Sequence, residues 1–358
     1  MRSELPVRKV LIYRIGSLGD TVVALPSFHL IARAFPQAER RMLTNFPVHA
    51  KAPASAAVLG DSGLVHGYMR YTIGTRSPAE LLRLSWRIRR FHPDVLVYLT
   101  PPRGAQAVRR DALFFRFSGV RRMVGLPEGD LATSRFDPAT GLWEREASRL
   151  LRCIQSLGTM DLTELASWDL RLTSAETGKA EERLAALGGA SFIACGPGTK
   201  MQAKEWGQDK WRELLGRLSA EFPRHALVLI GAKEDAEVSE YAAGGWKAAV
   251  VNLCGLLTPR ESAAVLRRAG LFLGADSGPM HLAAAYGVPC VIPFAALDFP
   301  GRWYPIGERH RSIYHRVECS ACHLTTCIEK KKICIESISV DEVFQAAMQV
   351  ICREEITS

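Results

Sequence analysis

Four stretches of this 358-residue chain join an apolar run to a glycine turn carrying a side chain able to do chemistry. The first, RIGSLGDT (residues 14–21), sets Asp20 where a helix would begin. An acid there can cap the first helical amides, or, at the rim of a cleft, take a proton from an acceptor hydroxyl. Taken alone, the turn favours the cap. It is neither G-x-G-x-x-G nor a P-loop, so the pattern gives no support to a nicotinamide or ATP site. The second, CGPGTKMQAKEWGQDKW (residues 195–211), exposes backbone at Gly196 to Gly198 and then offers Thr199, Lys200 and Lys204. Flexible cations beside bare backbone suit a diphosphate, although an ordinary surface loop has the same composition.

The third stretch, IGAKEDAE (residues 230–237), places Glu234 and Asp235 after an apolar run. An acid at that point can accept hydrogen bonds from ribose or sugar hydroxyls, or simply favour the helix dipole. The fourth is GADSGPMHLAAAYGVP (residues 274–289). Ser277 is a natural N-cap, Pro279 fits a first helical turn and Gly287 fits the C′ position. Gly278 permits close approach of a ligand, and the helix amides with their dipole form an anion site. Asp276 is out of place beside a phosphate but suits sugar hydroxyls. His281 can donate to a phosphoryl oxygen or merely pack.

Rigid elements must carry these turns. Apolar runs at residues 9–15, 94–99, 191–195, 225–231, 249–254, 270–275 and 290–294 alternate with amphipathic helical patterns such as PAELLRLSWRIRRF and KWRELLGRLSAEF. That alternation predicts parallel sheets covered on both faces. The polar connection near residues 165–190 is the candidate boundary. The expectation is α/β architecture: two Rossmann-like domains facing a central cleft, with ligands beyond the carboxyl ends of the strands.

Length favours two domains, and 47% hydrophobic with 23% charged residues describes a globular, water-soluble chain. No stretch approaches the length of apolar sequence a membrane helix needs, and the first twenty residues lack a secretory h-region, so a cytoplasmic location is expected. The net charge of +9 is uneven: residues 1–150 hold 23 Lys and Arg against 12 acids, the remainder 23 against 25. A basic half attracts anionic lipid, phosphorylated substrate or nucleic acid. Cys153, Cys195, Cys254, Cys290 and Cys352 read as buried small hydrophobes. Cys319, Cys322, Cys327 and Cys334 form C-x2-C-x4-C-x6-C, which either stays reduced or holds a structural zinc.

The motifs KVLIYRIGSLGDTVVALPSFHLIARAFP, GPGTKMQAKEWGQDKW, LCGLLTPRESAAVLRRAGLFLGADSGPMHLAAAYGVP and RWYPIG occur in the order seen in bacterial lipopolysaccharide heptosyltransferases. The chain resembles that family, glycosyltransferase family 9, over nearly its whole length. The resemblance implies a GT-B fold, with residues 1–172 as the acceptor-binding domain and 173–338 as the donor-binding domain. It implies a helix over 339–358 crossing back to the first domain. The implied reaction is inverting transfer of a heptose from ADP-heptose to the lipopolysaccharide core or a similar acidic lipid-linked acceptor, at the inner face of the cytoplasmic membrane. Asp20 would be the general base. Thr199, Lys200 and Lys204 would hold the diphosphate, Glu234 the ribose, and the Leu257–Thr258 backbone would border the base. Asp276 would hold sugar hydroxyls, and Ser277, Gly278, Met280 and His281 would form the phosphate turn. Acceptor-binding residues stay unassigned.

No Asp-x-Asp motif occurs, so the departing diphosphate would be neutralised by lysine, histidine and helix amides. No cofactor and no nucleic-acid partner are expected. Two other readings fit the same architecture: a nucleotide-sugar epimerase or hydrolase, which would release sugar without an acceptor, and a non-catalytic binder of acidic glycans, which would show no donor affinity.

Overall fold

The computed structural model describes residues 6–45 and 55–357, with side-chain environments up to residue 350. The chain divides into two compact units, Met1–Arg171 and Leu172–Ser358.

In the first unit the order is β1 (Lys9–Tyr13), α1 (Leu18–Val23), α2 (Leu25–Ala34), β2 (Glu39–Asn45), α3 (Ser55–Leu59), β3 (Gly67–Tyr71), α4 (Pro78–Phe91), β4 (Val95–Tyr98), α5 (Ala105–Phe117) and β5 (Arg122–Val124). A two-stranded antiparallel ribbon, β6 (Phe136–Asp137) and β7 (Leu142–Trp143), leads to α6 (Glu146–Cys153). The sheet is parallel, in the order β3-β2-β1-β4-β5. Val10, Leu11 and Ile12 of β1 are wholly buried, as a central strand covered on both faces requires. The strand order reverses between β1 and β4, and the crevice at such a reversal is where open α/β sheets bind ligands.

The second unit repeats the plan with one more strand. Its elements are α7 (Ser174–Leu184), β8 (Phe192–Gly196), α8 (Gln208–Glu221), β9 (Ala226–Leu229), α9 (Ala236–Ala243), β10 (Val250–Asn252), α10 (Pro259–Leu266), β11 (Leu271–Gly274), α11 (Gly278–Ala285), β12 (Cys290–Phe294), β13 (Arg311–Tyr314), α12 (Ile333–Glu336) and α13 (Val340–Thr357). The parallel order is β10-β9-β8-β11-β12-β13, so the reversal falls between β8 and β11. Ser and Thr caps start several of the helices. Thr173 before α7 and Thr258 before α10 each pair with a glutamate three residues on, forming capping boxes.

The second core is organised around two tryptophans that the sequence marks only as neighbours of lysines. Trp206 and Trp211 are each 1% exposed, stacked edge to face with ring centres 4.8 Å apart. The Trp206 indole donates to the Ile338 carbonyl oxygen at 2.9 Å. This anchors the start of α13, whose Val343, Ala347 and Val350 enter the same core. The expected return of that helix to the first domain falls on its last turns, whose side chains lie outside those described, as does Cys352. Cys153, Cys195, Cys254 and Cys290 are buried. Among the described residues no helix is long and apolar enough to cross a membrane. Trp206→Ala should lower unfolding free energy by about 3–5 kcal/mol; urea denaturation showing a loss below about 1 kcal/mol would refute this account of the second core.

Candidate functional site

In the first unit the reversal point holds the turn after β1. Ser17, not Asp20, occupies the N-cap of α1, which corrects the simple capping expectation. Asp20 sits one turn in and reaches back, its Oδ2 accepting from the Ser17 amide at 2.8 Å and the Ser17 hydroxyl at 3.0 Å. Gly16 makes this possible. Its φ is +138°, and a Cβ there would lie 2.4 Å from that of Asp20. The Gly16 amide is held by Asn45 Oδ1 at 3.0 Å. The Asp20 side chain keeps 23% of its surface exposed, so a ligand hydroxyl can reach it.

Beneath this turn lies Arg14, with no exposed surface. Its guanidinium donates to the Asp20 carbonyl oxygen at 2.6 Å and to the Leu99 carbonyl oxygen at 2.8 Å. Its nitrogens stand 3.9 Å from Asp20 Oδ1 and 3.9 Å from Glu146 Oε1. Glu146, also fully buried, receives two bonds from Arg149 at 2.7 and 2.9 Å, and Arg149 donates further to the Thr100 carbonyl oxygen. Nothing in the local sequence pattern marks this cluster, because Glu146 and Arg149 have the spacing of an ordinary surface pair on a helix. A neighbouring network joins Tyr13, Tyr71, Tyr98, Arg103 and Asp111: Arg103 donates to the Tyr13 hydroxyl at 2.8 Å and to Asp111 at 2.7 Å. Burial pushes the Tyr13 phenol far above its ordinary pKa.

In the second unit the turns after β8, β9, β10 and β11 lie side by side. Gly196 and Gly274 are in register, and the Ala275 amide donates to the Gly196 carbonyl oxygen at 3.0 Å. Gly198 presses on the turn after β9, where a Cβ would come 2.3 Å from the Asp235 carboxyl carbon. Asp235 is therefore spent on structure, its Oδ2 taking the Ala232 amide at 2.8 Å, while Glu234 beside it is exposed. Gly255 abuts the backbone of Lys233, bringing Leu257 and Thr258 along the same edge. The Thr258 hydroxyl accepts from the Glu261 amide at 3.2 Å.

Lys204 and Asp276, singled out separately in the sequence, meet. Lys204 Nζ lies 2.6 Å from Asp276 Oδ2 and 3.3 Å from the Asp276 carbonyl oxygen, with the two side chains 20% and 9% exposed. Thr199 is half-buried and Lys200 exposed on the same loop. Ser277 is the N-cap of α11 by backbone conformation, but its hydroxyl is buried with no hydrogen-bond partner among the described residues. Gly278 and Pro279 follow, and Gly287 ends the helix at φ +70°. Met280 is 0% exposed, so its side chain is core and only its amide can serve the turn. The His281 ring is 8% exposed and faces Trp303 edge-on at 6.4 Å. Trp303 is itself held by Asp298 at 2.7 Å.

The zinc expectation is not met. Among the described residues no three His, Cys, Asp or Glu side chains group as metal ligands. Cys327 and Cys334 are taken up by the second core, whereas Cys319 and Cys322 are half-buried in the loop before them. Burial raises the Cys334 thiol pKa, the opposite of what a thiolate ligand needs. All four are free thiols.

Two Rossmann-like units, each built on a parallel sheet with one strand reversal, define a GT-B fold. The sequence profile of glycosyltransferase family 9 (heptosyltransferase) matches residues 148–333, just over half of the chain. Lipopolysaccharide heptosyltransferase 1 of Pseudomonas aeruginosa is 25% identical over 331 residues, covering 89% of this chain and 87% of the relative. A crystal structure of a family 9 glycosyl transferase from Veillonella parvula superposes with a TM-score of 0.70 at 16% identity, over 98% of this chain and 99% of the other. Escherichia coli heptosyltransferase WaaC with ADP-2-deoxy-2-fluoro heptose gives 0.63 at 18% identity, over 95% and 99%. The chain belongs to glycosyltransferase family 9, and it is a glycosyltransferase.

The buried cluster yields a stability test. Glu146→Gln removes the counter-charge of Arg149 and Arg14, and should destabilise the protein by about 3–5 kcal/mol. A urea midpoint unchanged from the parent chain would show that those guanidiniums are compensated without it.

Proposed function

We propose that this enzyme moves a heptose from an ADP-linked donor to a hydroxyl of the lipopolysaccharide core or a similar acidic, lipid-linked glycan, with inversion at the anomeric carbon. The observation that carries the reading is the Lys204–Asp276 pair at the strand reversal of the second unit, flanked by the amide-bearing start of α11. A cation, the amides at a helix start and a carboxylate within one row of turns match a sugar diphosphate piece by piece. The names of the relatives, heptosyltransferases including one solved with an ADP-heptose analogue, agree with that donor.

In this mechanism Thr199, Lys200 and Lys204 meet the diphosphate, together with the amides of Gly278 and Met280, the Ser277 hydroxyl and His281. Asp276 accepts from sugar hydroxyls. Exposed Glu234 receives the ribose, and the backbone at Leu257 and Thr258 borders the adenine. The acceptor O–H gives its proton to Asp20 as the oxygen attacks the anomeric carbon, and the bond from that carbon to the phosphate oxygen breaks. The departing ADP takes the electron pair, and the cation and helix amides stabilise its growing charge. A single displacement inverts the centre. Asp20 is suited to its part because Ser17 and Arg14 fix the carboxylate while part of it stays exposed. The reaction is placed at the cytoplasmic face of an anionic membrane, where such an acceptor would be presented.

Asp20→Asn should reduce kcat by about 10²–10⁴-fold while ADP binding, followed by calorimetry, changes less than a few-fold. Near-parental turnover would remove Asp20 as the base. In a thermal-shift series of nucleoside diphosphates, ADP should stabilise the protein more than UDP or GDP; a UDP preference would refute the adenine donor. Sugar release with no acceptor present, at the rate of transfer, would favour hydrolysis or epimerisation instead.

A further inference from the structure

Much of the positive charge of the first half lies on one pair of helices. α4 and α5 together carry seven arginines, two acids and no lysine. α4 and α5 lie side by side, with the Ser118 hydroxyl, just past α5, donating to the Ser85 hydroxyl at 3.0 Å in a buried seam. The Arg89 guanidinium bonds the Phe117 carbonyl oxygen across the same seam. The outward faces are not simply polar. Leu82 and Trp86, one turn apart on α4, are 59% and 58% exposed; Leu113 and Phe117, one turn apart on α5, are 64% and 57% exposed. Arginines sit against both rings, Arg90 5.4 Å from the centre of Trp86 and Arg89 5.2 Å from that of Phe117.

We propose that the α4–α5 face docks onto an anionic phospholipid surface, with Leu82, Trp86, Leu113 and Phe117 entering the headgroup–acyl boundary and the surrounding arginines meeting lipid phosphates. Exposed apolar side chains on a helix otherwise rich in cations are the composition of an interfacial helix rather than of a solvated one. Guanidiniums stacked on the rings keep their charge at phosphate depth while the aromatic surface goes deeper. Charge complementarity selects the occupant. A second copy of the chain would bring seven arginines against seven, and an isologous contact cannot separate them. Nucleic acid would satisfy the arginines but leave the two leucines with no base to stack on. This surface rests on the lipid-linked acceptor proposed above and gives it a physical place of delivery.

The test is sedimentation of the full chain with vesicles of phosphatidylcholine and phosphatidylglycerol, against phosphatidylcholine alone. Binding should require the anionic lipid and weaken with salt. A double variant, Trp86→Ser with Phe117→Ser, and a triple variant, Arg83→Gln, Arg90→Gln and Arg109→Gln, should each lower partitioning about tenfold or more. Both should leave thermal unfolding and transfer to a soluble, lipid-free acceptor glycan unchanged. Equal partitioning of the variants, equal binding to phosphatidylcholine alone, a shift in oligomeric state in the Trp86/Phe117 variant, or capture of RNA without vesicle binding would overturn the proposal. Absence of heptosyl transfer with vesicle binding intact would count against the proposed reaction and leave the surface standing.

Discussion

A full positive charge sits at the centre of the first unit with no contact with water, and the turn carrying Asp20 is arranged around it. Removing a guanidinium from solvent costs several kcal/mol, which only good hydrogen bonds and a counter-charge offset. Arg14 obtains these from the Leu99 and Asp20 carbonyl oxygens and from Glu146. Those partners belong to the end of β4, the first turn of α1 and the start of α6, so one side chain fixes three elements at once. Arg149 then completes Glu146 and returns to Thr100, at the end of β4. The carboxylate of Asp20 is thereby held from below by a charge and from the side by Ser17, as the base proposed for it would need to be.

The second unit reaches comparable rigidity by steric means. Its turns approach so closely that Gly198 and Gly255 cannot carry even a methyl group without displacing Asp235 or Lys233. The row of turns is thus a packed surface rather than a set of independent loops. The candidate residues mounted on it inherit its order, and a close charge pair among them, Lys204 with Asp276, bridges the ends of the two strands at the reversal point.

Much of this was readable from the chain. Short apolar runs marked β1, β4 and β8 to β12, because buried parallel strands leave no alternation to confuse. The turn motifs and their order led to the family. Other elements were hidden for specific reasons. β2 reads ERRMLTN, and Arg40 within it looks like a surface residue. It is in fact 5% exposed, satisfied by the carbonyl oxygens of Phe35, Gly63 and Leu64. Glu146 and Arg149 look like an ordinary pair one helical turn apart, and only tertiary packing buries them. The cysteine spacing suggested a metal because spacing says nothing about which side chains a core will claim. Local pattern records periodicity and turn chemistry; it does not record which charges a fold encloses.

The pairing of Lys204 with Asp276 carries a consequence for selectivity in the proposed donor site. An empty pocket with an unmatched lysine would attract any phosphate in the cell, including the abundant free nucleotides and inorganic anions. Here the lysine already has a partner, and an anion that pulls it away strands a carboxylate that is almost wholly enclosed. Only a ligand that brings hydroxyls for the acid along with phosphates for the cation satisfies both ends. On the proposed reading, the pair thus works as a coincidence detector, favouring a ligand that carries hydroxyls together with phosphates over one that carries phosphate alone.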